Sequence, residues 1–299
     1  MTSPALILIK AQFACASDTR SILARTSAVK AQFHLPLATY PDASSFSLLQ
    51  NAVDLCLHQG ADLTASVPLV SLPAWLHLSS LPDIETMRAV EQSSKASGAA
   101  LEQTLRDYAA AANVAVEIQP FAIEERFVGQ SLAEISRAYD LSILEASDPM
   151  RPLIESVLFE SGRPLLLFPS DNVCGRVDAV AVAWDGGATV ARAFTGARLF
   201  LEQASRVILI SVADDKQIDQ RSRDRFAARL QKAGLSVDVT AVQANGEPIA
   251  SVIQATALEH KADLLVCGAY GHSRLREFIL GGVTRSLLTR LDMPALLCH

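Results

Sequence analysis

Short apolar runs alternate with longer amphipathic stretches along the chain, and the alternation occurs twice. It is plainer in the second half. Residues 177–184 are apolar and end at Asp185, Gly186 and Gly187, which predicts a strand followed by a turn. Val190, Phe194, Ala197, Leu201 and Ala204 then step by four and three, the spacing of one helix face. Residues 206–212 predict a second strand, and 221–233 a charged-faced helix closed by Gly234. A third strand follows over 235–242. Pro248 opens a helix with Ile249, Val252, Ile253 and Thr256 on one side. Residues 264–267 form the fourth strand, Leu275, Phe278, Ile279, Leu287 and Leu288 then recur at the spacing of a fourth helix, and 293–298 form the fifth strand. Five strands alternating with four helices predict a doubly wound α/β fold with a mostly parallel sheet.

The first half repeats this order. Strands are expected at 32–40, 61–67, 114–118, 141–144 and 163–168, and helices at 46–58, 83–112, 131–139 and 156–161. Ile84, Met87, Val90, Leu101, Leu105 and Tyr108 are the inward positions of the long helix, and Gly98 marks a kink or break. The expected layout is an N-terminal extension over 1–30 and two five-stranded domains, 31–170 and 175–299, related by a pseudo-twofold axis. The last strands, 163–168 and 293–298, are apolar at their edges. Each needs a partner: the other, or a second molecule in a homodimer.

Glycine changes the picture at one place. After the fourth strand of the second half come Gly268 and Gly271, then Gly281 and Gly282, followed by Val283 and Thr284. A strand handing over to a helix leaves backbone N–H groups free and a positive helix end, which suits a phosphate. Glycine there reaches positive φ cheaply and lets the backbone touch a ligand. Gly268 and Gly271 alone fit an ordinary turn equally well. A further Gly pair inside a helical pattern costs roughly 1 kcal/mol per residue against Ala, so the four together favour a site. The first half has Glu145, Ala146, Ser147, Asp148 and Pro149 at the corresponding place, and two carboxylates would repel phosphate.

Net charge is −6 with 19% charged residues, so the basic excess of a nucleic-acid binder is lacking. Cys15, Cys56, Cys174, Cys267 and Cys298 are scattered and read as free thiols of a reducing compartment. The six histidines show no ligand spacing, and no protein-built metal site is expected. No apolar run approaches the roughly 20 residues of a membrane span; the reading is a cytoplasmic protein. No Gly-x4-Gly-Lys-[Ser/Thr] loop, Gly-x-Ser-x-Gly elbow or oriented general base is found, which points to a binding protein over a catalyst.

The spacing Gly268-x2-Gly271-x9-Gly281, with Val283 and Thr284 after a small residue, resembles the nucleotide-binding motif of the universal stress protein family. Gly60, Ala61, Asp62, Leu63 and Thr64 resemble a helix–strand corner of the same family. The resemblance covers most of the chain and is clearest over 176–299. It implies a stress-response regulatory protein that binds ATP or ADP in its second domain, any Mg²⁺ arriving on the phosphates. It implies Asp185, with Gly186 and Gly187, near the adenosine, and the main chain of Val212 and Ala213 at the base edge. Gly268, Gly271, His272, Gly281, Gly282, Val283 and Thr284 would surround ribose and phosphates. Two departures stand out: the family often has a hydroxyl residue where this chain has Gly282, and Ser where it has Gly187. Asp185 also fits an Asx turn or helix cap. A slow ATPase and a nucleotide-free interaction module remain as alternatives, and protein partners are unknown.

Overall fold

The computed structural model describes residues 29–73, 84–170, 176–213, 220–269 and 282–299. In chain order the first half holds β1 (Gln32–Pro36), α1 (Phe46–Gln59), β2 (Asp62–Ser71), α2 (Ile84–Ala112), β3 (Val116–Glu124), α3 (Val128–Ser136), β4 (Leu141–Ala146), α4 (Arg151–Glu160) and β5 (Leu165–Pro169). The second holds β6 (Ala179–Ala183), α5 (Ala188–Gly196), α6 (Arg198–Leu201), β7 (Arg206–Val212), α7 (Gln220–Lys232), β8 (Ser236–Val242), α8 (Ile249–Glu259), β9 (Leu264–Gly268), α9 (Gly282–Thr289) and β10 (Ala295–Cys298). The extension expected over 1–30 falls, except for Val29 and Lys30, outside the described residues.

All ten strands lie in one sheet, ordered β3-β2-β1-β4-β5-β10-β9-β6-β7-β8. Read outward from its middle, the sheet has the same connectivity on both sides. Every pairing is parallel except the central one, where Leu165, Leu166 and Leu167 run antiparallel to Leu297, Leu296 and Ala295. The two sheets expected from the pattern are thus joined edge to edge, with the pseudo-twofold passing through the Leu166–Leu296 pair. All six of these side chains are at most 1% exposed, so the two apolar edges cover each other.

One core cluster runs beneath both halves. Leu132 of α3, Ile154 and Val157 of α4, Ile253 and Ala257 of α8, and Leu287 and Leu288 of α9 belong to it. Three helices deviate from the pattern for local reasons. Helix α2 passes through Gly98 without a break, because the residue is a contact point. A Cβ there would lie 3.3 Å from both Leu69 Cδ2 and Val67 Cγ1. The helix expected to reach Ala204 is interrupted at Ala197, between α5 and α6. There Gly196 lies so close to Pro164 that a Cβ would sit 2.6 Å from its Cγ. Helix α4 is longer than expected, with Pro152 in its first turn, where the missing N–H costs nothing.

Both halves use the same clamp at the start of their first strands. Asp140 Oδ2 accepts the Gln32 N–H at 2.9 Å. Asp263 Oδ2 accepts the Asp178 and Ala179 N–H groups at 2.9 and 2.8 Å. Each Asp immediately precedes the fourth strand of its half, so one carboxylate ties strands one and four at their amino ends.

A polar side chain sits in the middle of β1. His34 is fully buried, its Nδ1 at 2.8 Å from Ser136 Oγ and its Nε2 at 2.9 Å from Ser66 Oγ. Its ring stacks on Tyr139 with centroids 4.7 Å apart. Burial lowers its pKa to about 3. The unfolded chain, with an ordinary imidazole near 6.5, therefore binds a proton that the folded chain refuses. Stability from this group is complete above pH ~6.5 and lost as pH falls toward 3, by about 2 kcal/mol at pH 5. Denaturation midpoints at pH 7.5 and 5 should differ accordingly, and His34→Asn should remove that part of the slope.

Candidate functional site

The order β9-β6-β7 places three strand ends side by side, and the chain direction of winding reverses between β6 and β9. That reversal opens a crevice outside the carboxyl ends, the usual ligand position of such sheets. Ala183 is in register with Ile210 on one side and Cys267 on the other. Residues 184–187, 211–213 and 268–269 consequently lie at neighbouring strand ends.

Asp185 is exposed at the end of β6, and its Oδ1 accepts the Gly187 N–H at 2.8 Å. This is the Asx turn that Asp-Gly suggested. Gly186 adopts φ +75°, which a side chain would strain. Gly187 is the N-cap of α5 and supplies no side-chain acceptor to the first turn. A Cβ at Gly187 would lie 2.9 Å from Asp185 Oδ1, so a Ser there would crowd the carboxylate that makes the turn. Val212 is buried and Ala213 exposed, and Ala213 N–H is used by Val242 O at 2.8 Å.

Gly268 ends β9 directly beneath the first turn of α5. A Cβ at that position would come within 2.4 Å of Thr189 Oγ1 and 2.5 Å of Val190 N. The absence of a side chain lets the helix close on the strand, a packing role the sequence did not single out. The next residue, Ala269, donates its N–H to Cys298 O at 2.8 Å. Gly282 opens α9 in helical conformation, Val283 packs on the core cluster and Thr284 is buried. Gly271, His272 and Gly281 lie outside the described residues.

Trp184, missed in the sequence, adjoins Asp185 and is 8% exposed. Its indole stacks on Phe226 of α7 at 4.2 Å, and Phe194 of α5 meets Phe226 edge-on at 4.9 Å. The signal that could have found it is its place as the last apolar residue before the Asp-Gly turn. Cys267 lies below the crevice floor, and burial, with Cys298 and Asp185 nearby, pushes its thiol up to about 12. Burial also raises Cys298 to about 12. Neither is a nucleophile at neutral pH. The described part of the crevice thus offers a carboxylate, main-chain groups at three strand ends and the start of a helix. Groups of this kind suit hydrogen bonding to a ligand. No group of three or more His, Cys, Asp or Glu among the described residues is arranged to hold a metal. No helix among them is long and apolar enough to cross a membrane.

Residues 177–299 match the model of the universal stress protein family. A curated relative, universal stress protein Slr1230 of Synechocystis sp. (strain ATCC 27184 / PCC 6803 / Kazusa), is 23% identical over 146 residues. The match spans 48% of this chain and 49% of the relative, so about half the length of each. Among solved structures, a universal stress protein from Archaeoglobus fulgidus DSM 4304 superposes with a TM-score of 0.68 at 21% identity, over 89% of this chain and 95% of that one. A putative universal stress protein from Pseudomonas aeruginosa UCBPP-PA14 gives 0.53 at 16% identity, over 91% and 93%. These two likenesses concern the fold.

Proposed function

We propose, from the match of residues 177–299 to the universal stress protein family, that the chain is an adenine-nucleotide-binding regulatory protein of the stress response. The observation that carries the reading is the meeting of Asp185, Val212–Ala213 and Gly268 at one crevice, next to the glycine-rich stretch. In this reading Asp185 orients the ribose or base and the main chain of Val212 and Ala213 borders the base. The glycine-rich stretch through Gly271, His272, Gly281 and Gly282 cradles the phosphates of ATP or ADP. Mg²⁺ would come with the phosphates. The residues of 31–170 form a scaffold domain, 175–299 bind, and occupancy alters the surface seen by protein partners. Hydrolysis is not part of the proposal, since no oriented base is found among the described residues.

Calorimetry of the full chain with ATP and ADP tests this, beside mass spectrometry of small molecules released on purification. Asp185→Ala should weaken binding about tenfold or more, as a hydrogen bond involving a charged group is worth about 1.5–3 kcal/mol. Gly282→Ser restores a hydroxyl on a helical backbone that accepts it, and should tighten binding roughly three- to tenfold. Turnover abolished by Asp185→Ala would favour the slow ATPase. No binding at millimolar nucleotide by any variant would favour the interaction module, the reading supported by the two absent hydroxyls at Gly187 and Gly282.

A further inference from the structure

The first half has the corresponding switch in strand order between β1 and β4, and one of its own side chains lies at those strand ends. The registers identify the corresponding positions. Glu145 stands opposite Phe168 in β5 as Gly268 stands opposite Cys298 in β10. Phe168 and Cys298 are mates about the Leu166–Leu296 axis. Glu145 therefore holds the place of Gly268. It is 4% exposed, and its Oε1 accepts the Ser45 N–H at 2.9 Å. Ser45 is the N-cap of α1, with its Oγ accepting the Leu48 N–H at 3.1 Å. A carboxylate thus sits at the positive end of a helix, the kind of position that attracts an anion.

The chain makes room for it. Nine residues, 37–45, connect β1 to α1, whereas four, 184–187, connect β6 to α5. The longer connection folds back on itself: Ser44 N–H donates to Ala38 O and Ala38 N–H to Ser44 Oγ, both at 3.0 Å. The neighbouring slot between the ends of β1 and β2 is stitched as well. Thr39 Oγ1 donates to Pro68 O at 2.6 Å, and Ser94 Oγ of α2 accepts the Val70 N–H at 2.8 Å. Thr39 and Ser94 are at most 1% exposed.

We infer that the Glu145 carboxylate is a built-in occupant of the first crevice, a tethered anion that holds it closed and takes the place of an external ligand. The inference rests on the first half alone and stands whether or not the second half binds nucleotide.

The test uses the full chain, with formate or acetate as the probe and chloride at equal ionic strength as control. Glu145→Ala should lower Tm by about 3–8 °C, the loss of one charge-assisted bond to a half-buried donor. Added formate or acetate should then recover part of that loss with a saturating dependence, and leave the wild type unmoved. Glu145→Gln, whose amide oxygen still accepts the Ser45 N–H, should stay closer to wild type and be indifferent to the probe. An unchanged Tm in Glu145→Ala, or equal anion shifts in variant and wild type, would overturn the inference. Should Glu145→Ala fail to fold, amide exchange of the wild type decides. The Ser45 N–H must be protected as strongly as the interior of α1, and exchange at an exposed-loop rate would refute the contact.

Discussion

Gly268→Ala should destabilise the chain by about 3 kcal/mol, far beyond the effect of one methyl group on an open surface. The added Cβ has nowhere to go. Its nearest neighbours would be Thr189 Oγ1 at 2.4 Å, Val190 N at 2.5 Å and the Thr189 carbonyl carbon at 2.8 Å. Two of these three are main-chain atoms of a helix whose buried side chains, Val190 and Ala193, already pack on the sheet. A rotamer change cannot relieve the overlap, so α5 must shift from β9; overpacking of this kind costs about 1–3 kcal/mol and occasionally more. At about 2–4 °C per kcal/mol, Tm should fall by roughly 6–12 °C. Scanning calorimetry checks it. A fall below 2 °C would mean that the helix is not held at this distance. Gly186→Ala is a useful comparison: nothing lies within 4 Å of its missing Cβ, and only its φ of +75° opposes a side chain. Its cost should be about 1–2 kcal/mol.

The second large effect is expected at the seam. Leu296→Lys places an ammonium group at a fully buried position on the pseudo-twofold axis, opposite Leu166. Three residue pairs form the antiparallel contact, and no water reaches them to solvate a charge. An unpaired charge there costs more than about 4 kcal/mol, enough to remove most of the stability of an ordinary domain. The variant should unfold near room temperature or be recovered as aggregate, since each apolar edge then lies bare. Leu296→Ile, of equal volume, should cost under about 1.5 kcal/mol. Urea midpoints and sedimentation velocity on the pair distinguish the cases. A Lys variant as stable as the Ile one would show that the two edges do not meet within one chain.

Much of the architecture was legible because parallel strands are buried on both faces and write themselves as uninterrupted apolar runs. Strand β7 has the bounds its pattern predicts, Arg206 to Val212. What the pattern could not convey was which residue touches which. Gly98 reads as a kink or break, since the penalty of glycine in a helix is local, while its benefit, contact with Val67 and Leu69, comes from another element. His34 reads as a misplaced polar residue in β1 until Ser66 and Ser136, from elsewhere in the chain, arrive at its two nitrogens. In the candidate site, the Asp185 turn was legible because an Asx turn is made within three residues. The role of Gly268 was not, as its neighbour Thr189 lies in a different βα unit. The paired clamps could have been found: Asp140–Leu141 and Asp263–Leu264 repeat the same dipeptide at the head of the fourth strand in each half.

The antiparallel join of β5 to β10 carries one last consequence. When identical chains assemble about an exact dyad, any substitution appears at both symmetric positions, so their two crevices must change together. Here both sides of the dyad are written in a single polypeptide, and each drifts on its own. One copy of the position became a glycine under a helix, the other a carboxylate bound to a helix end. With nucleotide seated in the second crevice as proposed and Glu145 closing the first, each chain would hold one seat, and the occupancy of a monomer should follow a simple hyperbola with a Hill coefficient of about one.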